Sequence, residues 1–258
     1  MRTMLIIGAV AYASATLAYL VDLFKSRDGR LLPSRLYTAA TVYWIIAFPI
    51  GAAYSPLCTG VRPWLLASGW VLGVIFLGLE RRYPISALGS LVSAMSTVLS
   101  LIAIFVAAEA SDLLTGPLAD WVLWIHISLA FLGVIAFALA AATSILYLFV
   151  SGRLKRKLTL PGKLPPLSVL DNLALRMISI GFPFYTIALL LGSAQAVRSG
   201  TDEIKLAYIL ASLSWLIYGI VLQARLTAGW RGRNAATLTI IGCLAAFVVV
   251  GMYSSGAA

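Results

Sequence analysis

The chain has 258 residues, of which 61% are hydrophobic and 11% charged, and its mean hydropathy is +0.98. A soluble domain carries roughly 25% charged and under about 50% apolar residues, so an ordinary water-soluble enzyme is excluded. The net charge of +10 invites a nucleic-acid reading, but basic residues beside apolar runs set membrane topology and meet anionic lipid heads; no nucleic-acid partner is expected.

Eight apolar runs follow in chain order, each to be judged against the about 20 residues that a membrane-crossing helix needs. Met4–Phe24 lacks a small-residue cleavage site and leads into Phe24-Lys25-Ser26-Arg27, so it reads as a helix and not as a signal peptide. Leu36–Tyr54 carries a kinking Pro49, Trp64–Leu79 is short, and Ile85–Ala108 follows. Trp121–Val150 is long enough to tilt or to project from the bilayer. Ser151 to Ser168 is a linker, first basic and then rich in proline (Pro161, Pro165, Pro166). After it Asp171 reads as a helix cap, and Val169–Met177 as an amphipathic entry helix at the interface. Arg176–Ala196, with Pro183 inside, Leu206–Leu226 and Thr237–Tyr253 complete the set. The expected fold is all-α: a polytopic membrane protein, an eight-helix transmembrane bundle, with residues 1–258 as a single integral membrane domain.

Charge orients this bundle. Lys25, Arg27, Arg30 and Arg35 lie in loop one, Arg81 and Arg82 in loop three. Arg153, Lys155, Arg156, Lys157, Lys163 and Arg176 lie in loop five, and Arg225, Arg231 and Arg233 in loop seven. These are fifteen of the nineteen basic residues; Arg2, Arg62, Arg198 and Lys205 fall on the other side. The positive-inside rule puts the fifteen in the cytoplasm and both termini outside, for a multi-pass protein of a bacterial-type cytoplasmic membrane. Cys58 then lies outside and Cys243 nearer the cytoplasm, so no internal disulfide is expected. One His and two separated Cys cannot form a His/Cys zinc site.

Polar residues inside the spans are few. His126, the only imidazole, lies near the outer end of the fifth helix. Its neighbours at helical spacing are Ala130, Gly133, Phe137, Ala140 and Ser144, small enough for another helix to approach closely. His126 is therefore expected to face the bundle, with Trp121 and Trp124 about one turn before it. Two readings stand side by side. A neutral imidazole at this depth suits an axial haem ligand, and a shallow histidine can equally hydrogen-bond a neighbouring helix while the tryptophans serve the aromatic belt. There is no Ser/His/Asp set, no intramembrane carboxylate pair and no phosphate-binding glycine loop, and no enzymatic activity is expected.

Several segments, in order, resemble the cytochrome c assembly family of polytopic membrane proteins. The resemblance is to its CcsA/CcmC group and above all to its HemX/YpjD-type branch. Glu80-Arg81-Arg82-Tyr83-Pro84-Ile85-Ser86-Ala87-Leu88-Gly89 is similar to that branch's stretch after its third helix. Trp124-Ile125-His126-Ile127-Ser128-Leu129-Ala130-Phe131-Leu132-Gly133 resembles the family's "HVSLMFLGYAAF" helix. Leu170-Asp171-Asn172-Leu173, then Arg176 and Gly181-Phe182-Pro183, is similar to "LDxLxYRxIxxGFPLLT". Ser214-Trp215-Leu216-Ile217-Tyr218 and Gly229-Trp230-Arg231-Gly232-Arg233-Asn234 resemble the final helix pair.

The resemblance implies haem handling at the outer membrane face for cytochrome c biogenesis, or, in the HemX-type branch, a role linked to haem-biosynthesis control. His126 matches the first of the two histidines that flank the family's Trp-rich segment. It would be the haem iron ligand, with Trp121 and Trp124 beside it and Arg198, Lys205 or Arg62 pairing with the propionates. The chain departs from the family in four places, one of them the absence of any His from helix two. Gln195 to Glu203 holds no Trp where "WGxxWxWD" is expected. Gly251-Met252-Tyr253-Ser254-Ser255-Gly256 replaces "GLHSYG", where Met252 offers a sulfur in place of the second histidine. Leu222-Gln223-Ala224-Arg225 replaces "LHxR". Two readings follow: a HemX/CcsA-like accessory protein that handles haem without catalysis, or a scaffold subunit of a membrane cytochrome or electron-transfer complex that has lost the haem site. Membrane lipids and other membrane or cytochrome-assembly proteins are the expected partners.

Overall fold

The computed structural model describes residues 2–25, 31–54, 62–83, 85–105, 119–157, 164–198 and 206–254. Among these the only regular secondary structure is helical. The elements are α1 (Arg2–Lys25), α2 (Leu31–Tyr54), α3 (Arg62–Arg82), a 3-10 turn (Ser86–Leu88), α4 (Gly89–Phe105), α5 (Ala119–Lys155), α6 (Leu167–Arg198), α7 (Leu206–Thr227) and α8 (Arg233–Ser254). Among the described residues six segments are long and apolar enough to cross a membrane: Thr3–Leu23, Ser86–Ile104, Val122–Lys155, Leu167–Ala194, Leu206–Thr227 and Arg233–Met252. Hydrocarbon offers no partner for backbone N–H and C=O groups, and a helix satisfies them within its own segment. The chain is an all-helical, multi-pass membrane protein.

Two sequence expectations change around the linker. Helix α5 runs on to Lys155 and has 37 residues, about 55 Å at 1.5 Å per residue, well past a hydrocarbon core of roughly 30 Å. Its last turn is basic, and the Arg153 guanidinium lies 5.1 Å over the Phe149 ring. Helix α6 starts at Leu167, so Val169–Met177 is its opening and not a separate interfacial helix. The buried stripe Leu170, Leu173, Ala174, Met177, Ile178, Gly181 passes through the predicted boundary without a break. Extending a formed helix costs less than nucleating a second one. Asp171 is therefore no cap. It lies inside α6, where its backbone carbonyl accepts from Arg225 Nη1 at 3.0 Å and its carboxylate pairs with the same nitrogen at 3.2 Å.

The contacts divide the chain into two compact units. The first comprises Met1–Ala110 with Phe149–Leu167. Within it α1 packs on α2 and α4, and α3 on α2 and α4. Its core is aromatic: Tyr37 meets Tyr12 at 5.5 Å, Phe76 at 5.8 Å and Tyr19 at 6.3 Å between ring centroids. The Tyr37 hydroxyl lies 2.9 Å from Ser96 Oγ, and Ser96 in turn donates to the Gly69 carbonyl at 3.2 Å. In the last turn of α3, the Glu80 carboxylate accepts from the Tyr19 hydroxyl at 3.2 Å and from Ser34 Oγ at 3.0 Å.

The second unit comprises Ser111–Leu148 and Ser168–Ala258. Helices α7 and α8 pair closely through Ser214 Oγ donating to the Gly242 carbonyl at 2.9 Å and Tyr218 Oη to the Thr239 carbonyl at 3.1 Å. The Phe137 ring of α5 stacks on Tyr218 at 3.6 Å and takes Tyr185 edge-on at 5.3 Å. Phe182 stacks on Trp215 at 5.8 Å, and Trp215 Nε1 donates to Thr186 Oγ1 at 2.9 Å. Every residue of α5 from Gly133 to Ser144 is buried, as expected of a helix that is apolar all round.

Candidate functional site

The site begins with how α5 meets α6 inside the second unit. On α6 the residues Gly181, Tyr185, Ala188 and Gly192 recur every three or four positions, so they form one stripe, and all four are buried. Along α5 the facing positions run the other way. A Cβ built at Gly181 would lie 2.8 Å from Ala136 Cβ and 3.1 Å from the Gly133 carbonyl. One at Gly133 would lie 2.9 Å from Tyr185 Cβ, and one at Gly192 would lie 2.7 Å from His126 Cε1. The two helices are antiparallel, held at a distance that only small residues permit.

His126 closes the end of this seam nearest the start of α5. Its Nδ1 stands 2.6 Å from the backbone carbonyl of Ala188. A carbonyl oxygen can only accept, so the hydrogen bond requires the proton on Nδ1. Nε2 then carries the lone pair, and it has no hydrogen-bond partner among the described residues. An imidazole whose Nδ1–H is held by a backbone carbonyl is the usual arrangement behind an Nε2 metal ligand. The donor chemistry thus fits a nitrogen ligand to a haem iron. Among the described residues no three His, Cys, Asp or Glu side chains gather into a metal-binding group.

The other predicted site residues are less closely gathered. Trp124 is two positions from His126, about 200° round the helix, and it is 42% exposed. Its ring is thus on a different side from the α6-facing imidazole, while its carbonyl accepts from Ser128 Oγ at 2.7 Å. Trp121 is in the first turn of α5, Arg62 begins α3 and Arg198 ends α6; their side chains, like Lys205 and Cys58, lie outside the described residues. Met252 is in the last turn of α8 and half-buried. Cys243 is a buried free thiol. The residues that sequence reasoning missed are Ala188 and Gly192. Ala188 acts through its backbone and Gly192 through a missing side chain, and neither leaves a chemical signature in a sequence.

Comparison with known proteins identifies a family. A family described as "Cytochrome C assembly protein" matches residues 59–256. The Cytochrome c biogenesis protein CcsA of Chlamydomonas reinhardtii is 31% identical over 166 residues, 61% of this chain and 45% of that protein. The CcsA of Gloeobacter violaceus is 34% identical over 83 residues, 31% of this chain and 24% of its own length. That of Microcystis aeruginosa is 35% identical over 94 residues, 35% of this chain and 27% of its own length. The chain thus spans less than half the length of these curated relatives. No solved structure matches it. A match over residues 59–256, together with an all-helical membrane fold, settles the family: the chain belongs to the cytochrome c assembly proteins.

Proposed function

We propose that the protein is a HemX/CcsA-like accessory membrane protein of cytochrome c biogenesis. It handles haem as cargo at the outer end of α5 and α6 and makes no covalent bond to it. The observation that carries this reading is the His126 Nδ1 hydrogen bond to Ala188, which leaves Nε2 as the basic nitrogen. Haem would supply an iron for a nitrogen donor and two anionic propionates. His126 would hold the iron through Nε2, and Arg198 and Lys205, on the same side of the bundle by the charge reading, would offer charge-assisted partners to the propionates. Family membership and the curated names of its relatives support the placement in cytochrome c biogenesis. The charge distribution supports a cytoplasmic membrane of bacterial type, with other membrane or cytochrome-assembly proteins as partners.

A second reading has its own observation. The segment Gln195 to Glu203 contains no tryptophan, and His126 is the only histidine in the chain. The fold then serves as a scaffold in a membrane cytochrome or electron-transfer complex, and the haem site is lost. One experiment separates the two. The chain purified in mild detergent is scanned oxidised and then after dithionite. A Soret band that shifts on reduction and vanishes in His126→Ala supports haem handling. A band unchanged in His126→Ala sinks the ligand assignment. A featureless spectrum with partner subunits still co-purifying from His126→Ala selects the scaffold.

A further inference from the structure

We propose that Gly192 of α6 is a positioning residue for His126. Its missing side chain forms the notch through which the imidazole reaches the Ala188 carbonyl, and this contact fixes the tautomer that leaves Nε2 as the ligating nitrogen. The inference rests on the reading of His126 as a ligand and adds the residue that prepares it.

The geometry is specific to the ring. A Cβ at position 192 would lie 2.7 Å from His126 Cε1, 3.2 Å from Nδ1 and 3.5 Å from Nε2. Three atoms of one side chain thus occupy the space that any larger residue would claim. Ala188 and Gly192 are four apart, so the carbonyl of the first and the notch of the second share one face of α6. The Ala188 oxygen has two lone pairs, enough for its helical bond and for the imidazole. Neighbouring hydroxyls do not compete: Ser193 Oγ donates to Leu190, and Ser128 Oγ to Trp124. A free neutral imidazole prefers its proton on Nε2, which blocks that nitrogen as a ligand. The tautomer of a ligating histidine is set by the hydrogen bond that its other nitrogen makes, and here that bond exists only while the ring sits against Gly192. The backbone of a packed helix cannot retreat from an added methyl group. The ring can, by turning about χ1 and χ2, and it would lose Ala188 in doing so.

Because the chain has a single histidine, uniform 15N-histidine labelling places exactly one imidazole in the spectrum, and the shifts of its two nitrogens report the tautomer without any haem present. The intact 258-residue chain in detergent is measured at a pH where the ring is neutral. The expected result is a protonated Nδ1 and an unprotonated Nε2, replaced in Gly192→Ala by an Nε2–H or averaged pattern. An Nε2–H tautomer in the unaltered chain overturns the inference, as does a Gly192→Ala spectrum identical to it. Should Gly192→Ala fail to fold, the double variant His126→Ala/Gly192→Ala decides. Restored folding shows that ring and methyl compete for one space, and continued failure shows that the notch is not kept for the ring. The functional reading fails separately. A correct tautomer in a chain with no Soret band leaves Gly192 in its role and removes haem, whereas a Soret band indifferent to Gly192→Ala keeps haem and removes Gly192.

Discussion

Glu80 holds its place by three helices at once. It belongs to the Glu80-Arg81-Arg82-Tyr83-Pro84 segment and lies just past the apolar run of α3, accepting from Tyr19 of α1 and Ser34 of α2. Burial raises the affinity of its carboxyl for a proton above the ordinary value of 4.5, and the bonds from Ser34 and Tyr19 offset only part of that. A carboxyl with a raised folded-state value binds its proton more tightly folded than unfolded. Stability from this group is therefore greatest below pH 4.5 and falls as pH rises through the window between 4.5 and the raised value. Glu80→Gln keeps an acceptor for both hydroxyls and cannot ionise, so melting curves recorded across that window should lose this downward slope. A slope unchanged in the variant would assign it to other groups. At this scale the sequence was half legible. His126 stood out as a lone imidazole, yet its partner is a backbone carbonyl 62 residues away. Asp171 read as a cap because its neighbourhood looks like a helix start, whereas its role is set by Arg225, 54 residues on.

Elements are specified here by small residues as much as by large ones. The α5–α6 seam depends on Gly133, where an added Cβ would meet Tyr185 N at 3.1 Å and Cα at 3.2 Å. These are backbone atoms of a packed helix and cannot turn aside. Gly133→Ala should thus push the helices apart, at a cost of about 1–3 kcal/mol for overpacking, and lengthen the His126–Ala188 contact. Gly152 lies on the same helix with nothing within 4 Å of its would-be Cβ; Gly152→Ala should be neutral or stabilising by up to about 1 kcal/mol, since Ala is the better helix former. Thermal unfolding of the two variants in one detergent provides the comparison, and equal shifts would remove the seam as the cause. Apolar runs of about 20 residues made the helices legible, because lipid-facing segments must be apolar along their whole length. Their ends were less so. Past the apolar window α5 continues through Arg153 and Lys155, residues whose long stems tolerate the membrane edge. Helix α6 begins where two prolines, Pro165 and Pro166, stop obstructing it.

For the whole molecule, composition disclosed the membrane class at once, but not the division into two units. Both are built from the same aromatic and small-residue packing, so no change of composition marks a border. Orientation is the whole-molecule property that sequence addresses most directly. Along the sequence, fifteen of nineteen basic residues cluster at alternate ends of the apolar runs, and cationic segments beside a span resist translocation. Residues 153–157 should then face the cytoplasm, with Cys58 outside. The chain's two cysteines make this measurable. Cys243 is 3% exposed and should stay silent to a membrane-impermeant maleimide, so in Cys243→Ser intact cells should be labelled at Cys58 alone. In a background without both natural cysteines, Arg156→Cys replaces an exposed residue at the basic end of α5 and should react only after the membrane is opened. Labelling of Arg156→Cys in intact cells, with Cys58 protected, would invert the bundle. His126 would then lie at the cytoplasmic face, where haem is taken up and not delivered, and the proposed direction of handling would reverse with it.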